Sequence, residues 1–370
     1  MNRSSAAILL SLLCVGTARA QQSEFAAPLN KFFLQVVGSK SQPKAASVAA
    51  PVAHSVVVQA SAPTDFPAAD PTAEGVDPAE LRRLKDRAAA EHSDAVLILR
   101  NGKLVSFSGA WDQKIVAMSA TKSIVSLGVG LLIDEGRILS LDQPVSDFYP
   151  QWLQGDKSKI TVRMLLNHTS GLASGRGGGR PGTPGAVEHA LKSPLVSQPG
   201  TAFHYNNNAV DLLAGLIEKA SGSRADLYIA AKLFTPLGIS DWFWSKDSVG
   251  TPLTAGELHI RPVDLAKVGQ MILDGGMWSG NRIISQAWLD RSIESGQPFE
   301  PSCGLLWWRD EERFYMLTQK VFDTWSTAGI RPELIDPLRS LSDRPMKTLD
   351  ELSDAMSQAF QGRSELKKEL

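Results

Sequence analysis

Apolar positions change period several times along the chain, and each change predicts an element. In "GVDPAELRRLKDRAAAEH", from Gly75, Leu81 and Leu84 share a helical face, Asp77 can cap and Pro78 suits the first helical position. In "AVLILRNGKLVSFSG", two β-rich runs flank Asn101-Gly102, a two-residue hairpin signal. The run "IVSLGVGLLI" at 124–133 is apolar nearly all round and predicts a central helix covered on every side, too short to span a bilayer. Gly136 is its natural stop. Helical patterns return in "NNNAVDLLAGLIEKASG", with an Asn cap and a Gly stop, in "VDLAKVGQMILDGG" and in "SQAWLDRSIESG". Between them, "GRGGGRPGTPG" at 175–185 reads as a mobile surface loop.

"GLLWW" at 304–308 reads as a strand. After it, "LTQKVFDTWSTAGIRPELIDPLRSLSD" and "TLDELSDAMSQAF" are helical in pattern, the second opening with a Thr348–Glu351 capping box. No internal repeat is evident. Strands come first, helices fill the middle, and helices stand where late strands would be expected. The pattern predicts an α+β body with a helical insertion.

The N-terminus adds export. Arg3, the apolar run "AAILLSLLCVG" and "ARA" at 18–20 have the order of a signal peptide cleaved after Ala20. Cys14 follows Leu13, where a lipoprotein site wants a small residue, and cleavage leaves Cys303 as the one cysteine. Residues 21–75, rich in Ala, Pro, Ser, Val and Gln, read as a disordered linker. Of the 370 residues, 43% are hydrophobic, enough for a large core. The net charge of −1 leaves no electrostatic footprint for nucleic acid. The spacings of common metal sites, nucleotide loops and G-x-S-x-G elbows are absent.

The chemistry lies just before the central helix. "MSATKS" sets Ser119 and Lys122 three apart, on one face if the helix starts near Ser119. A Ser hydroxyl needs a base to become a nucleophile. A neutral Lys serves, and lowering its pKa from about 10.4 by ~3 units corresponds to ~4 kcal/mol, within reach of burial and nearby hydrogen bonds. Free N–H groups and the positive dipole end at a helix start favour an oxyanion beside Ser119. S-x-x-K alone is weak: it recurs at Ser41–Lys44 and Ser364–Lys367, and a helix cap with a surface Lys accounts for it equally well.

The surrounding segments change that balance. "MSATKSIVSLGVGLLIDEG", "LDQPVSDFYP", "ITVRMLLNHTSGL", "QPGTAFHYNNNAVDLLAGLIEKASG", "LFTPLGISD" and "LHIRPVDLAKVGQMILDGG" follow one another in order. From about Gly75 to Trp308 the chain resembles the serine β-lactamase and penicillin-binding-protein superfamily, most closely its class C β-lactamase-like hydrolases and esterases. The resemblance implies that Ser119 is the acylating nucleophile and Lys122 its partner. Tyr205 and Asn207 match the family's Y-x-N element. Tyr205 would shuttle a proton between Ser119 and the leaving group, and Asn207 would donate to the substrate carbonyl or fix Lys122. The bland readings are a core aromatic and a helix cap, for which Asn206 and Asn208 qualify equally. His168 and His259 are read as structural. Of the Trp cluster at Trp242, Trp244, Trp278, Trp288, Trp307 and Trp308, most are expected in the core.

The resemblance also implies an antiparallel sheet flanked by helices plus a mostly helical lobe, with the site between lobes. The expected organisation is a signal peptide to 20, a linker to 75, a hydrolase domain over 76–317 whose helical lobe covers about 140–300, and a helical segment over 318–370. The expected function is an acyl-enzyme hydrolase of an ester, small amide or β-lactam, without cofactor, nucleic-acid partner or mature transmembrane segment. The alternative is a weak or inactive relative, or a truncated chain lacking the third active-site motif, that binds cell-wall fragments. The family's third element, a K/H-[ST]-G-like strand segment, has only "STAG" at 326–329 as a near match. Gly329 reads there as a helix stop, so the C-terminal strands are expected to be missing.

Overall fold

The computed structural model describes residues 65–175, 185–308, 317, 319–327, 329–342, 344, 346 and 349–360. The expected signal peptide, most of the linker, residues 176–184 of the Gly-rich stretch and Thr348 of the capping box lie outside the described residues. The chain divides into two compact units, with the boundary after residue 309.

The first unit opens with α1 (Pro78–Ala90), where the Asp77 carboxylate accepts the Ala79 N–H at 2.7 Å. Leu81 is buried while Leu84 is 40% exposed, so the shared face is only half used. β1 (Ala95–Arg100) and β2 (Lys103–Gly109) pair antiparallel, with Arg100 opposite Lys103. Asn101 (φ 52°) and Gly102 (φ 72°) form the turn between them. Two successive left-handed residues are what a hairpin of this length requires, and Asn and Gly tolerate that conformation best.

Residues 66–69, inside the expected linker, are held in place by contacts with the domain. The Leu104 N–H donates to Pro67 O at 2.9 Å and the Ala69 N–H to Leu104 O at 3.0 Å. Phe66 is buried in a small core with Leu104, Trp111 and Val263. Phe66 sits in a Pro- and Ala-rich stretch with no apolar period, so only its distant partners identify it as core.

β3 (Ile115–Val116) leads into a 3-10 turn, Met118–Ala120, and then α2 (Thr121–Asp134). From Thr121 to Leu132 every α2 residue except Ser123 is buried. Gly136 (φ 67°) closes the helix, its N–H on Ile133 O and that of Arg137 on Leu132 O, both at 2.9 Å. There follow α3 (Val162–Leu166), α4 (Ala186–Lys192), α5 (Asn207–Ser221), α6 (Ala225–Ile229), β4 (Trp242–Trp244), β5 (Leu258–Ile260), α7 (Pro262–Leu273), β6 (Met277–Trp278), β7 (Asn281–Arg282) and α8 (Gln286–Ile293). α2 packs against α5, α6 and α8 around one large core. β5 lies between β3 and β4 in an antiparallel sheet, so the expected helical lobe over 140–300 holds four short strands, β4 to β7, of which β5 fastens to β3 on the approach to α2.

"GLLWW" is not a strand. The Gly304 N–H closes a tight loop on Trp307 O at 2.8 Å, and Leu306 sits at φ 63°. Leu305, Leu306 and Trp307 are all buried, a consecutive run that a strand with one exposed face does not allow. The Ser123 hydroxyl donates to Leu306 O at 3.0 Å, tying this loop to α2.

The second unit contains α9 (Gln319–Thr327), α10 (Pro332–Ile335), a 3-10 turn over Asp336–Leu341 and α11 (Leu349–Ala359). Phe322, Leu338, Met346 and Phe360 share its core. Gly329 (φ 79°) ends α9, with its N–H on Ser326 O and the Ile330 N–H on Trp325 O. Ser326 and Thr327 of "STAG" are therefore the end of a helix, and among the described residues no strand element follows β7. No helix of the described residues is long and apolar enough to cross a membrane.

Candidate active site

Ser119 stands in the 3-10 turn that enters α2, and Lys122 in the first turn of α2. Met118, just before the Ser, takes the left-handed φ of 47°, rare for a long side chain. That bend turns the chain from β3 into the helix. Lys122 Nζ lies 3.3 Å from Ser119 Oγ, and the Tyr205 hydroxyl donates to the same oxygen at 2.8 Å. Lys122 is only 3% exposed, whereas Tyr205 is 37% exposed, so the trio has a buried side and an open side.

Tyr205 lies two residues before α5. Asn206 is the helix cap: its side chain accepts the Ala209 N–H at 3.1 Å and donates to Leu172 O at 2.5 Å. Asn208 donates to Ala173 O at 2.9 Å and Ser193 Oγ at 3.0 Å. The two neighbours thus take the structural work of the Asn run. Asn207, at the first position of the helix, is exposed.

His168 is nearer the site than its structural reading suggested. It is buried, its Nδ1 accepts the Asn206 N–H at 3.2 Å, and its ring centroid lies 4.7 Å from that of Tyr205. Burial, helped by the Lys122 charge, pushes its pKa down to about 3, so the ring is neutral with its proton on Nε2. Its role is to hold the segment that delivers Tyr205. Trp308 also stacks on Tyr205, with centroids 6.4 Å apart, and is 42% exposed. Trp244, Trp288 and Trp307 are buried, as expected of the cluster. His259 lies on β5 with Nε2 3.3 Å from Ser245 Oγ.

Asp211 escaped the sequence reading. It is 2% exposed, and its Oδ1 accepts the Ala255 N–H at 3.2 Å and lies 3.5 Å from the Thr254 hydroxyl. Burial raises its carboxyl to about 7, against the opposing effects of the Ala255 hydrogen bond and the Lys122 charge. The signal available was a single acid in the apolar run "AVDLLAGLI".

The chain resembles known proteins. The family model described as Beta-lactamase matches residues 81–315. The chain belongs to the beta-lactamase family. No subclass within it is specified, so the class C likeness stays a resemblance. The 6-aminohexanoate-dimer hydrolase of Paenarthrobacter ureafaciens is 28% identical over 250 residues, 58% of this chain and 61% of that protein. Esterase EstB of Burkholderia gladioli is 31% identical over 144 residues, 33% of this chain and 36% of that protein. The chain spans about half the length of the curated relatives it matches. The crystal structure of FmtA from Staphylococcus aureus superposes with a TM-score of 0.54 at 17% identity, over 67% of this chain and 78% of that one, a likeness of fold. Among the curated relatives are a dimer hydrolase and two esterases.

Proposed function

We propose that the protein is a serine hydrolase that forms an acyl-enzyme on Ser119 and cleaves an ester or a small amide. The observation that carries this reading is the convergence of Lys122 Nζ and the Tyr205 hydroxyl on one Ser oxygen at a helix start. Lys122 in its neutral form takes the Ser119 proton as Oγ attacks the carbonyl. Tyr205, on the open side, passes a proton to the leaving group and then helps water attack the acyl ester. The positive end of α2 favours the oxyanion. Asn207, exposed and without structural duty in the cap, is assigned to the substrate. The likeness to an esterase and a 6-aminohexanoate-dimer hydrolase favours esters and short linear amides over β-lactams.

The test is incubation with a fluorophosphonate and, separately, a labelled penicillin, followed by mass spectrometry of the peptide containing Ser119. Labelling by the first and not the second is expected, and Ser119→Ala should abolish it. Labelling by neither would overturn the reading in favour of a non-catalytic binder. Export with cleavage after Ala20 belongs to the same proposal. A mature chain isolated outside the cytoplasm and starting at Gln21 is the expected result of N-terminal sequencing.

A further inference from the structure

Lys122 is held from behind as well as from the Ser119 side. Its Nζ donates to the backbone oxygen of Ala255, between β4 and β5. The N–H of the same residue donates to Asp211 Oδ1 at 3.2 Å, and the adjacent Thr254 hydroxyl, donated to Val210 O at 2.9 Å, lies 3.5 Å from that oxygen. Ala255 is thus fastened to α5 at its N–H and offers its carbonyl to α2.

We infer that Asp211 is the positioning residue of the site: through Ala255 it holds the carbonyl that receives Lys122 Nζ, and its negative charge stabilises the Lys122 ammonium. The inference rests on the catalytic reading of Ser119 and Lys122 and adds how the amine is kept in place and poised. Lys122 on α2 and Asp247, beyond β4, are the charged groups acting on Asp211. The other elements packed on α5 direct their charges elsewhere. On α4, Glu188 pairs with Lys192 at 2.6 Å and His189 points toward Gly175. On α3, Arg163 pairs with Asp142 at 2.7 Å, and on α6, Asp226 pairs with Arg224 and Lys246. On its far side Lys122 faces the Tyr205 ring, 4.9 Å from its centroid, and the neutral His168.

Asp211→Asn keeps an oxygen for the Ala255 N–H and removes the charge. Asp211→Ala removes both. The experiment follows the side-chain NMR signal of Lys122, in full-length protein with isotope-labelled lysine and assigned through Lys122→Arg, as pH rises. In parallel it measures the rate of Ser119 phosphonylation. In Asp211→Asn the Lys122 midpoint should fall by about one pH unit, because an opposite charge has been taken from beside the ammonium. The ascending limb of the phosphonylation rate should move to lower pH with it. In Asp211→Ala the rate on the plateau should drop about tenfold or more, as expected when a catalytic group loses its orientation. A purely structural Asp211 would lower stability in both variants and leave both midpoints where they are, which would overturn the inference. If Asp211→Ala does not fold, the Asn variant decides alone. A shifted Lys122 in a protein whose Ser119 is never phosphonylated would uphold the Asp211–Lys122 link and overturn the hydrolase reading.

Discussion

Tyr205 has a hydroxyl that touches the Ser119 oxygen and a ring that packs against His168 and Trp308. Tyr205→Phe separates the two. The ring stays, the side chain is already 37% exposed, and stability should change by no more than about 0.5 kcal/mol. If the hydroxyl moves the proton, ester turnover should fall at least ~100-fold. A variant that keeps its activity would take Tyr205 out of the mechanism and leave Lys122 to act alone. Much at this scale was legible in the sequence. The spacing of Ser119 and Lys122 needs only one helical turn to bring them together, so a four-residue stretch encodes the contact. Tyr205 needed the family resemblance, because 86 residues separate it from Ser119. Which Asn caps α5 was not legible: all three have the same chemistry, and the choice of Asn206 depends on Leu172, brought alongside by the fold.

Two glycines in α2 show how an element is fitted to its neighbours. A Cβ on Gly130 would sit 2.3 Å from the Trp288 indole nitrogen of α8, and one on Gly128 would meet the flexible Ile229 side chain of α6 at 2.8 Å. Helix propensity favours Ala over Gly by about 1 kcal/mol at either position. At Gly130 the clash should win, since overpacking a filled core costs about 1–3 kcal/mol and the indole has little room. Gly130→Ala should therefore be destabilised, and more than Gly128→Ala, in urea denaturation with an unchanged slope. Equal stability of the two variants would mean that α8 moves freely away from α2. The hairpin at Asn101-Gly102, the Asp77 cap and the Gly136 stop were legible because each is decided within a few residues. The Phe66 segment, the sheet of β3, β4 and β5, and the loop at 304–307 were not, because each is fixed by partners far along the chain.

Two buried titratable groups oppose each other in the stability of the folded chain. His168 is held neutral to about 3, while an unfolded His takes a proton near ~6.5. Its contribution is complete above the unfolded value and is lost as pH falls toward about 3. Asp211 has the opposite sign, with its folded carboxyl at about 7 against ~3.9 unfolded. Its burial costs nothing in acid and reduces stability progressively as pH rises through that interval. Each shift is some three pH units and corresponds to on the order of 4 kcal/mol, so between roughly pH 4 and 6.5 the two slopes nearly cancel. Carboxylates lowered by ion pairs, such as Asp226 with Arg224 and Lys246, act equally in parent and variants and drop out of the comparison. His168→Asn suits the left-handed backbone at φ 61° and can still accept the Asn206 N–H. Without the His, stability should fall as pH rises from about 4 to 7, then level off. In Asp211→Asn it should climb from about 3 to 6.5 and level off higher. Urea denaturation at stepped pH reads both slopes. If the parent and the two variants trace parallel curves, neither group titrates differently in the folded chain. The buried polar cluster behind Ser119 would then be stabilised by packing alone.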